Sequence, residues 1–135
     1  MNKSFIYNPE GMPDAIRTGF KIPEPLLWAL DLPVEEITIS EIANNLEIPY
    51  LEREGTDDWN LCIRELIANF DHEPHHAKQT LAADLAYPIE LYYHKDQWII
   101  LDGVHRLTKA VREGREAVLA HKISQSAIDE ILAKE

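Results

Sequence analysis

The sequence is poor in cysteine, in long apolar runs and in positive charge, and each shortage narrows the class of protein. Cys62 is the only cysteine among 135 residues, so no intramolecular disulfide can form, which fits the reducing cytoplasm. No stretch approaches the roughly 20 apolar residues that span a membrane, and residues 1–14 lack the apolar core of a signal peptide. We therefore expect a cytoplasmic protein with no membrane segment.

Positive charge is scarce, because 13 Lys and Arg residues face 24 Asp and Glu residues and the net charge is −11. A protein that binds nucleic acid usually gathers cations to displace the counterions of phosphates, so this balance disfavours DNA or RNA as a partner. The cations are nevertheless clustered, since residues 105–122 hold five basic residues and two acidic ones. A local positive region of this kind suits a small anionic ligand better than a long polyanion.

Several common site motifs are also missing. The sequence has no G-x-S-x-G elbow, no Walker-type loop and no G-x-G-x-x-G turn. Cys62 lies on an apolar stripe beside Trp59 and Ile63, which predicts a buried core thiol rather than a nucleophile. The segment DHEPHH at 71–76 is rich in metal-ligand types, but adjacent histidines at a helix start point about 100° apart. That spacing suits a single metal ion poorly, so we expect no metal site.

One stretch, residues 98–123, stands out by its pattern. It holds four apolar residues, the pair Asp102-Gly103, a helical pattern that ends at Gly114, and a second apolar run. This order predicts a strand, a tight turn, a helix and another strand. The first turn of a helix leaves backbone N–H groups unpaired and carries the positive end of the helix dipole, so an anion site is expected there.

Each residue of this turn has an expected role. Asp102 would cap the helix, Gly103 permits a sharp turn and the close approach of a ligand, and His105 with Arg106 would supply cationic donors. The alternative is a glycine-assisted turn with an Asp cap and two solvated side chains. The residues that we expect to bind phosphate or nucleotide are Gly103, Val104, His105, Arg106 and Lys109.

Catalysis at this turn would also need an acid or a base. The polar loop at 44–55 carries Glu47, Glu52 and Glu54, and a loop carboxylate can act as a general base or a Mg²⁺ ligand if the loop folds over the phosphate. The alternative is that all three are merely solvated. We take Glu47, Asp102 and His105 as the catalytic residues to test.

The remaining patterns predict a single α+β domain with a small mixed sheet flanked by helices. Its parts are an N-terminal arm with a short helix (1–33), a core (34–124) and a helical tail (125–135) that Ser124 or Ser126 would cap. The expected strands are 36–39, 89–93, 98–101 and 118–123, and residues 94–97 would form a four-residue hairpin loop. Two helices are expected before the hairpin: 59–70, capped by Asp57 or Asp58, and 74–86, with Ala77, Leu81 and Leu85 facing inward.

Residues 83–124 resemble the ParB/sulfiredoxin-like family. In that family an x-P-I-x-V strand, here YPIEL at 87–91, precedes a turn and a strand that ends in a G-x-[HR]-R signature, here GVHR at 103–106. A helix, a glycine and a closing strand follow in the same order. The likeness is weaker over residues 34–82, where a first strand and a central helix fit the family pattern.

The resemblance implies a bound nucleotide (ATP, ADP or CTP, with Mg²⁺) whose phosphates lie on the turn. Activities in the family include sulfinic-acid reduction, CTP-driven DNA clamping, nuclease activity and phosphorylation of free serine. Sulfiredoxins carry their reactive cysteine between the glycine and the histidine, where this chain has Val104, so we do not expect a sulfiredoxin. DNA-clamping members continue into a helix-turn-helix domain, whereas eleven residues follow Ser124 here.

Three hypotheses follow. The first is a nucleotide- or phosphate-binding domain that acts as a small-molecule phosphotransferase or nucleotide hydrolase. The second is a non-catalytic regulatory or protein-interaction module of the same fold, whose acidic N-terminal half contacts a basic partner or a second copy of the chain. The third is a ParB-like nuclease.

Overall fold

A four-stranded mixed β-sheet lies at the centre of the computed structural model, which describes residues 3–134. Residues 1–2 of the expected arm and residue 135 of the expected tail lie outside that range. The strands are β1 (Glu35–Thr38), β2 (Ile89–His94), β3 (Gln97–Asp102) and β4 (Ala117–Ile123). Their order is β1-β4-β2-β3; β4 runs parallel to β2 and antiparallel to β1, and β2 pairs with β3 as an antiparallel hairpin.

Helices cover the sheet, and the predicted α+β class is confirmed. They are α1 (Glu24–Trp28), α2 (Ile63–Ala68), α3 (Pro74–Ala82), α4 (Val104–Arg112) and α5 (Gln125–Ala133), with a 3₁₀ segment at Ile39–Leu46. As predicted, Ser124 caps the tail helix, since its hydroxyl accepts a hydrogen bond from the N–H of Ala127 at 3.2 Å. None of the helices in residues 3–134 has the length and apolarity needed to cross a bilayer.

The two faces of the sheet carry two apolar cores, because successive residues of a strand point to opposite sides. Leu91 faces the core that α2 and α4 cover, and Leu107 of α4 is fully buried there. Tyr92, the next residue of β2, faces the other core, which α5 covers with Ile128 and the N-terminal arm with Leu27. Burying each such side chain stabilises the fold by about 1.5–3 kcal/mol.

The β2–β3 hairpin is tighter than expected. Lys95 and Asp96 form a two-residue turn, so the predicted four-residue loop at 94–97 is wrong. Both turn residues have positive φ values, +51° and +64°. Positive φ at both central positions is the conformation that matches the right-handed twist of paired strands, which explains why the strands continue to the turn.

The predicted helix at 59–70 is wrong over its first four residues. The helix begins at Ile63, and Leu61 instead forms an isolated antiparallel bridge with Leu51. Neither Asp57 nor Asp58 caps it; the carboxylate of Glu65 reaches back to the N–H of Cys62 at 3.3 Å. Cys62 itself is buried, as predicted, and burial raises the pKa of its thiol.

The predicted helix at 74–86 ends early and turns a polar face inward. α3 stops at Ala82, and Leu81, which we expected to face the core, is 60% exposed. His76 and Thr80 are buried in its place. Hydrogen bonds available to His76 explain this orientation, because they remove the cost of burying an imidazole.

Candidate functional site

The turn between β3 and α4 requires glycine for two reasons. Gly103 has a φ of +112°, which disfavours side chains, and a Cβ there would lie 2.7 Å from Cγ2 of Ile89 on the neighbouring strand. Within the described part of the chain, no side chain caps α4, so the expected capping role of Asp102 is wrong. Val104 is the first residue of the helix, and its N–H belongs to the group that a helix leaves without an internal partner.

Asp102 binds side chains instead of the helix start. Its Oδ2 accepts hydrogen bonds from Nε1 of Trp28 at 3.0 Å and from Nη2 of Arg106 at 2.8 Å. The other terminal nitrogen of Arg106 donates to the carbonyl oxygen of Pro88. Both members of the Asp102–Arg106 ion pair are largely buried, which reduces the screening of their attraction by water. Arg106 thus ties the first turn of α4 to the end of β3 through Asp102 and to the residue before β2 through Pro88.

Lys109 does not reach the turn. Its Nζ donates to the carbonyl oxygens of Ala83, at 2.7 Å, and Leu81, at 3.1 Å. These carbonyls lie at the C-terminal end of α3, where a cation interacts favourably with the helix dipole. Lys109 therefore links α4 to the C-terminal end of α3 and takes no part in the turn.

His105 is a neutral member of a hydrogen-bond chain. Its Nε2 lies 3.0 Å from Nδ1 of His76, whose Nε2 lies 2.7 Å from the carbonyl oxygen of Glu52. Because a carbonyl oxygen only accepts, His76 must carry its proton on Nε2 and accept a hydrogen bond from the Nε2–H of His105. Burial, which has the largest effect, and the neighbouring His76 and His75 together lower the pKa of His105 to about 4. The expectation of a cationic His105 at neutral pH is therefore wrong, and its unprotonated nitrogen is Nδ1.

The three loop glutamates do not converge on the turn. Glu47 is 62% exposed and forms an ion pair with Arg64. Glu52 contributes its carbonyl to His76 rather than its carboxylate, and Glu54 donates its N–H to the buried carboxylate of Glu73 at 2.9 Å. Of the expected catalytic set, only Asp102 and His105 lie at the turn.

The histidine-rich segment does not form a metal site in residues 3–134. No group of three or more His, Cys, Asp or Glu side chains in that range is arranged to hold an ion. His75 is exposed, whereas His76 faces His105 with the two rings 5.3 Å apart and nearly parallel. The segment contributes to the site through one hydrogen-bonded side chain.

A polar row across three strands was missed by the sequence reasoning. Glu90 on β2 pairs in register with Asp102 on β3 and with His121 on β4. The two carboxylate oxygens of Glu90 lie 3.0 and 3.1 Å from Nδ1 of His121. Burial raises the pKa of Glu90, against the opposing effect of the His121 hydrogen bond. One signal for this row was available: Glu90 interrupts an apolar strand pattern.

A cleft of about 550 Å³ opens beside two members of this row, Glu90 and His121. Its walls include the exposed rings of Trp28 and Tyr87, and Glu90, Arg106 and His121 also line it. Its volume falls within the range of sites for small molecules. The cleft therefore adjoins the turn through Arg106, whose side chain takes part in both.

Comparison of the chain with family models, with curated proteins and with solved structures gave no match. The ParB/sulfiredoxin-like resemblance therefore stays a prediction from sequence motifs.

Proposed function

We propose that the chain is a ParB-like domain that binds a nucleotide or another phosphate compound at the first turn of α4. The observation that carries the proposal is the turn at Gly103, where a positive φ and the contact with Ile89 exclude a side chain in front of an uncapped helix. Backbone N–H groups at such a helix start, approached over a glycine, are a recurrent phosphate-binding arrangement. The G-x-H-R resemblance supports the same ligand class.

Arg106 is the cation that would meet the phosphate. A guanidinium has five N–H groups, and the bonds to Asp102 and Pro88 use two of them. A phosphate at the turn would compete with Asp102 for this guanidinium, and charge-assisted bonds of this kind are among the stronger ones in proteins. Nucleotide binding would therefore loosen the contact between Asp102 and Arg106.

Turnover, as a phosphotransferase or a nucleotide hydrolase, would rest on His105. Its unprotonated Nδ1 is the only nitrogen of that ring left to accept a proton, but a base with a pKa of about 4 has little driving force near neutral pH. None of Glu47, Glu52 and Glu54 supplies a carboxylate contact at the turn within residues 3–134. These two observations favour the second candidate function, a regulatory or interaction module that binds the nucleotide without consuming it.

Calorimetric titration with ATP, ADP, CTP and GTP, with and without Mg²⁺, tests the ligand. We expect saturable binding of at least one nucleotide and a rise in the unfolding temperature, because a ligand at a hundred times its Kd adds about 2.7 kcal/mol of stability. Arg106→Gln should weaken binding by about tenfold or more. Arg64→Gln is the matched control, since that arginine pairs with Glu47 on an exposed surface. The proposal fails if no nucleotide and no inorganic phosphate binds, or if Arg106→Gln binds like the wild type.

A second experiment separates the binding and catalytic alternatives. Release of inorganic phosphate from a bound nucleotide, or its transfer to a small hydroxyl compound, would favour an enzyme. Bound but intact nucleotide, together with a dimer or a stable complex in sedimentation, would favour the regulatory module. Incubation with plasmid and single-stranded DNA checks the nuclease hypothesis, for which we expect both substrates to remain intact.

A further inference from the structure

Glu90 is a buried carboxylate with fewer hydrogen bonds than it can make. It is 1% exposed, and within residues 3–134 the only hydrogen-bond partner of its carboxylate is Nδ1 of His121. An ionised carboxylate has about four acceptor positions, and buried charges in proteins are normally paired and fully hydrogen-bonded. Since Glu90 lines the cleft, a molecule bound there can supply the missing donors.

The charges around the cleft favour a positively charged molecule. Asp84 lines the cleft beside Glu90, and Asp102 lies next to Glu90 on β3. Arg106 is the one lysine or arginine that lines the cleft, and its charge is matched by Asp102 at 2.8 Å. An anionic ligand would therefore meet the carboxylates of Glu90 and Asp84, while the one guanidinium in the cleft is already paired with Asp102.

The walls of the cleft suit an organic cation with an apolar body. Trp28 and Tyr87 both line the cleft and are 58% and 66% exposed, so two large aromatic rings are available to a ligand there. The indole is held in place because its Nε1–H donates to Asp102. Aromatic faces attract ammonium groups through their negative π surface, and they cover apolar groups at the same time.

We propose that this cleft binds a small organic ammonium ion that has an apolar body and no carboxylate. The ammonium group donates to the open acceptor positions of Glu90, and the apolar body lies between Trp28 and Tyr87. A carboxylate on the ligand would be repelled by Glu90 and Asp84. The ammonium group is bound by Glu90 and the rings of Trp28 and Tyr87, whereas the proposed phosphate site uses the backbone N–H groups of α4 and the guanidinium of Arg106. The two sites adjoin at Arg106 but bind opposite charges through different groups, so this inference does not rest on nucleotide binding.

Titration of the full chain with benzylamine, and with benzyl alcohol as its neutral isostere, tests the inference. We expect saturable binding of benzylammonium with a Kd in the millimolar range or tighter, and binding of the alcohol at least about tenfold weaker. Glu90→Gln keeps the shape of the side chain and an acceptor for His121 but removes the charge. It should weaken benzylammonium binding by about tenfold or more, whereas Glu47→Gln, an exposed carboxylate away from the cleft, should leave it unchanged.

A second variant tests the inference even if Glu90→Gln does not fold. Tyr87 is exposed, so Tyr87→Ala should fold normally and still weaken benzylammonium binding by about threefold or more. Equal binding of amine and alcohol, tighter binding of benzoate, or no saturation up to about 50 mM amine would overturn the inference. Inorganic phosphate is titrated separately. If the amine binds and phosphate does not, the result supports this inference and contradicts the proposed phosphate binding at the first turn of α4.

Discussion

Gly103 is the residue on which the position of α4 depends. It reverses the chain at the end of β3 while its Cα lies against Ile89 of β2, so the helix start is held close to the sheet. A side chain at this position would push the helix and the strand apart. The proposed phosphate binding requires the same missing side chain, which links the stability of the turn to its proposed function.

Gly103→Ala should therefore destabilise the fold through two additive costs. The added Cβ would lie 2.9 Å from Cβ of Ile89, and a φ of +112° strains any side chain. We expect the free energy of unfolding to fall by about 2–4 kcal/mol in urea denaturation. Gly114→Ala is the control, because φ there is +73° and a Cβ would meet no heavy atom within 4 Å. Gly114→Ala should lower the free energy of unfolding by about 1 kcal/mol. An equal loss of stability in both variants would show that the contact of the added Cβ with Ile89 costs nothing.

His105 should make the fold sensitive to acid. Its pKa is about 4 in the folded chain against 6.5 for a free imidazole. Between these two pH values the unfolded chain binds a proton at this position that the folded chain does not bind, so the free energy of unfolding falls as the pH falls. Because the ring is partly exposed, we expect a loss of about 1–3 kcal/mol between pH 7 and pH 4 from this residue.

Comparison of wild type with His105→Gln isolates this contribution. The variant should lose less stability on acidification, whereas replacement of the exposed His72 by glutamine should leave the wild-type pH response in place. An NMR titration of the ring protons checks the same point directly. A midpoint for His105 near its ordinary value would contradict the assigned hydrogen-bond chain.

At the scale of elements, the β2–β3 hairpin offers a stabilising substitution. Asp96 has a φ of +64°, which glycine adopts without cost, so Asp96→Gly should raise the free energy of unfolding by about 0.5–1 kcal/mol. Asp96→Ala should lower it, because alanine tolerates this conformation less well than aspartate. Urea denaturation of the three proteins checks the order Gly, Asp, Ala. Lys95 is left unchanged because its Nζ pairs with Asp14.

The elements that the sequence predicted well are those that local pattern decides. Three such elements are β3, α4 and β4. In each, the apolar residues follow a single pattern, that of a strand or that of a helix, and clear turn residues flank it. Their bounds differ from the expected ones by a residue or two. The prediction of a helix at 59–70 was wrong in part because its apolar residues belong to two cores. Ile63 packs on one face of the sheet and Trp59 on the other. A single helix cannot reach both faces, so the chain before Ile63 is extended.

The sequence predicted only those contacts of the site whose residues are close together along the chain. Asp102 and Arg106 were expected together and are together, but their partner Trp28 is 74 residues from Asp102. The pairing of Glu90 with His121 spans 31 residues and depends on the parallel register of β2 and β4. Pairings of this kind come from the order of strands in the sheet, which spacing along the chain does not specify.

At the scale of the molecule, the net charge of −11 should make stability depend on salt. Raising NaCl from about 0.01 M to about 1 M shortens the Debye length from about 30 Å to about 3 Å, which screens repulsion among the surface carboxylates. We expect the unfolding temperature to rise by a few degrees. A variant with glutamine at the exposed positions Glu24, Glu36 and Glu41 should show a smaller rise, and an equal rise in both proteins would exclude self-repulsion as the cause.

The position of β4 inside the sheet sets the order in which a growing chain can acquire its structure. β4 is the last strand along the chain, yet it hydrogen-bonds both β1 and β2. During synthesis the β2–β3 hairpin can form early, whereas β1 has no strand to pair with until residues 117–123 have left the ribosome. Ile37 of β1, which is 3% exposed in the fold, lies opposite Val118 of β4. The first strand to be synthesised is thus among the last to be incorporated into the sheet.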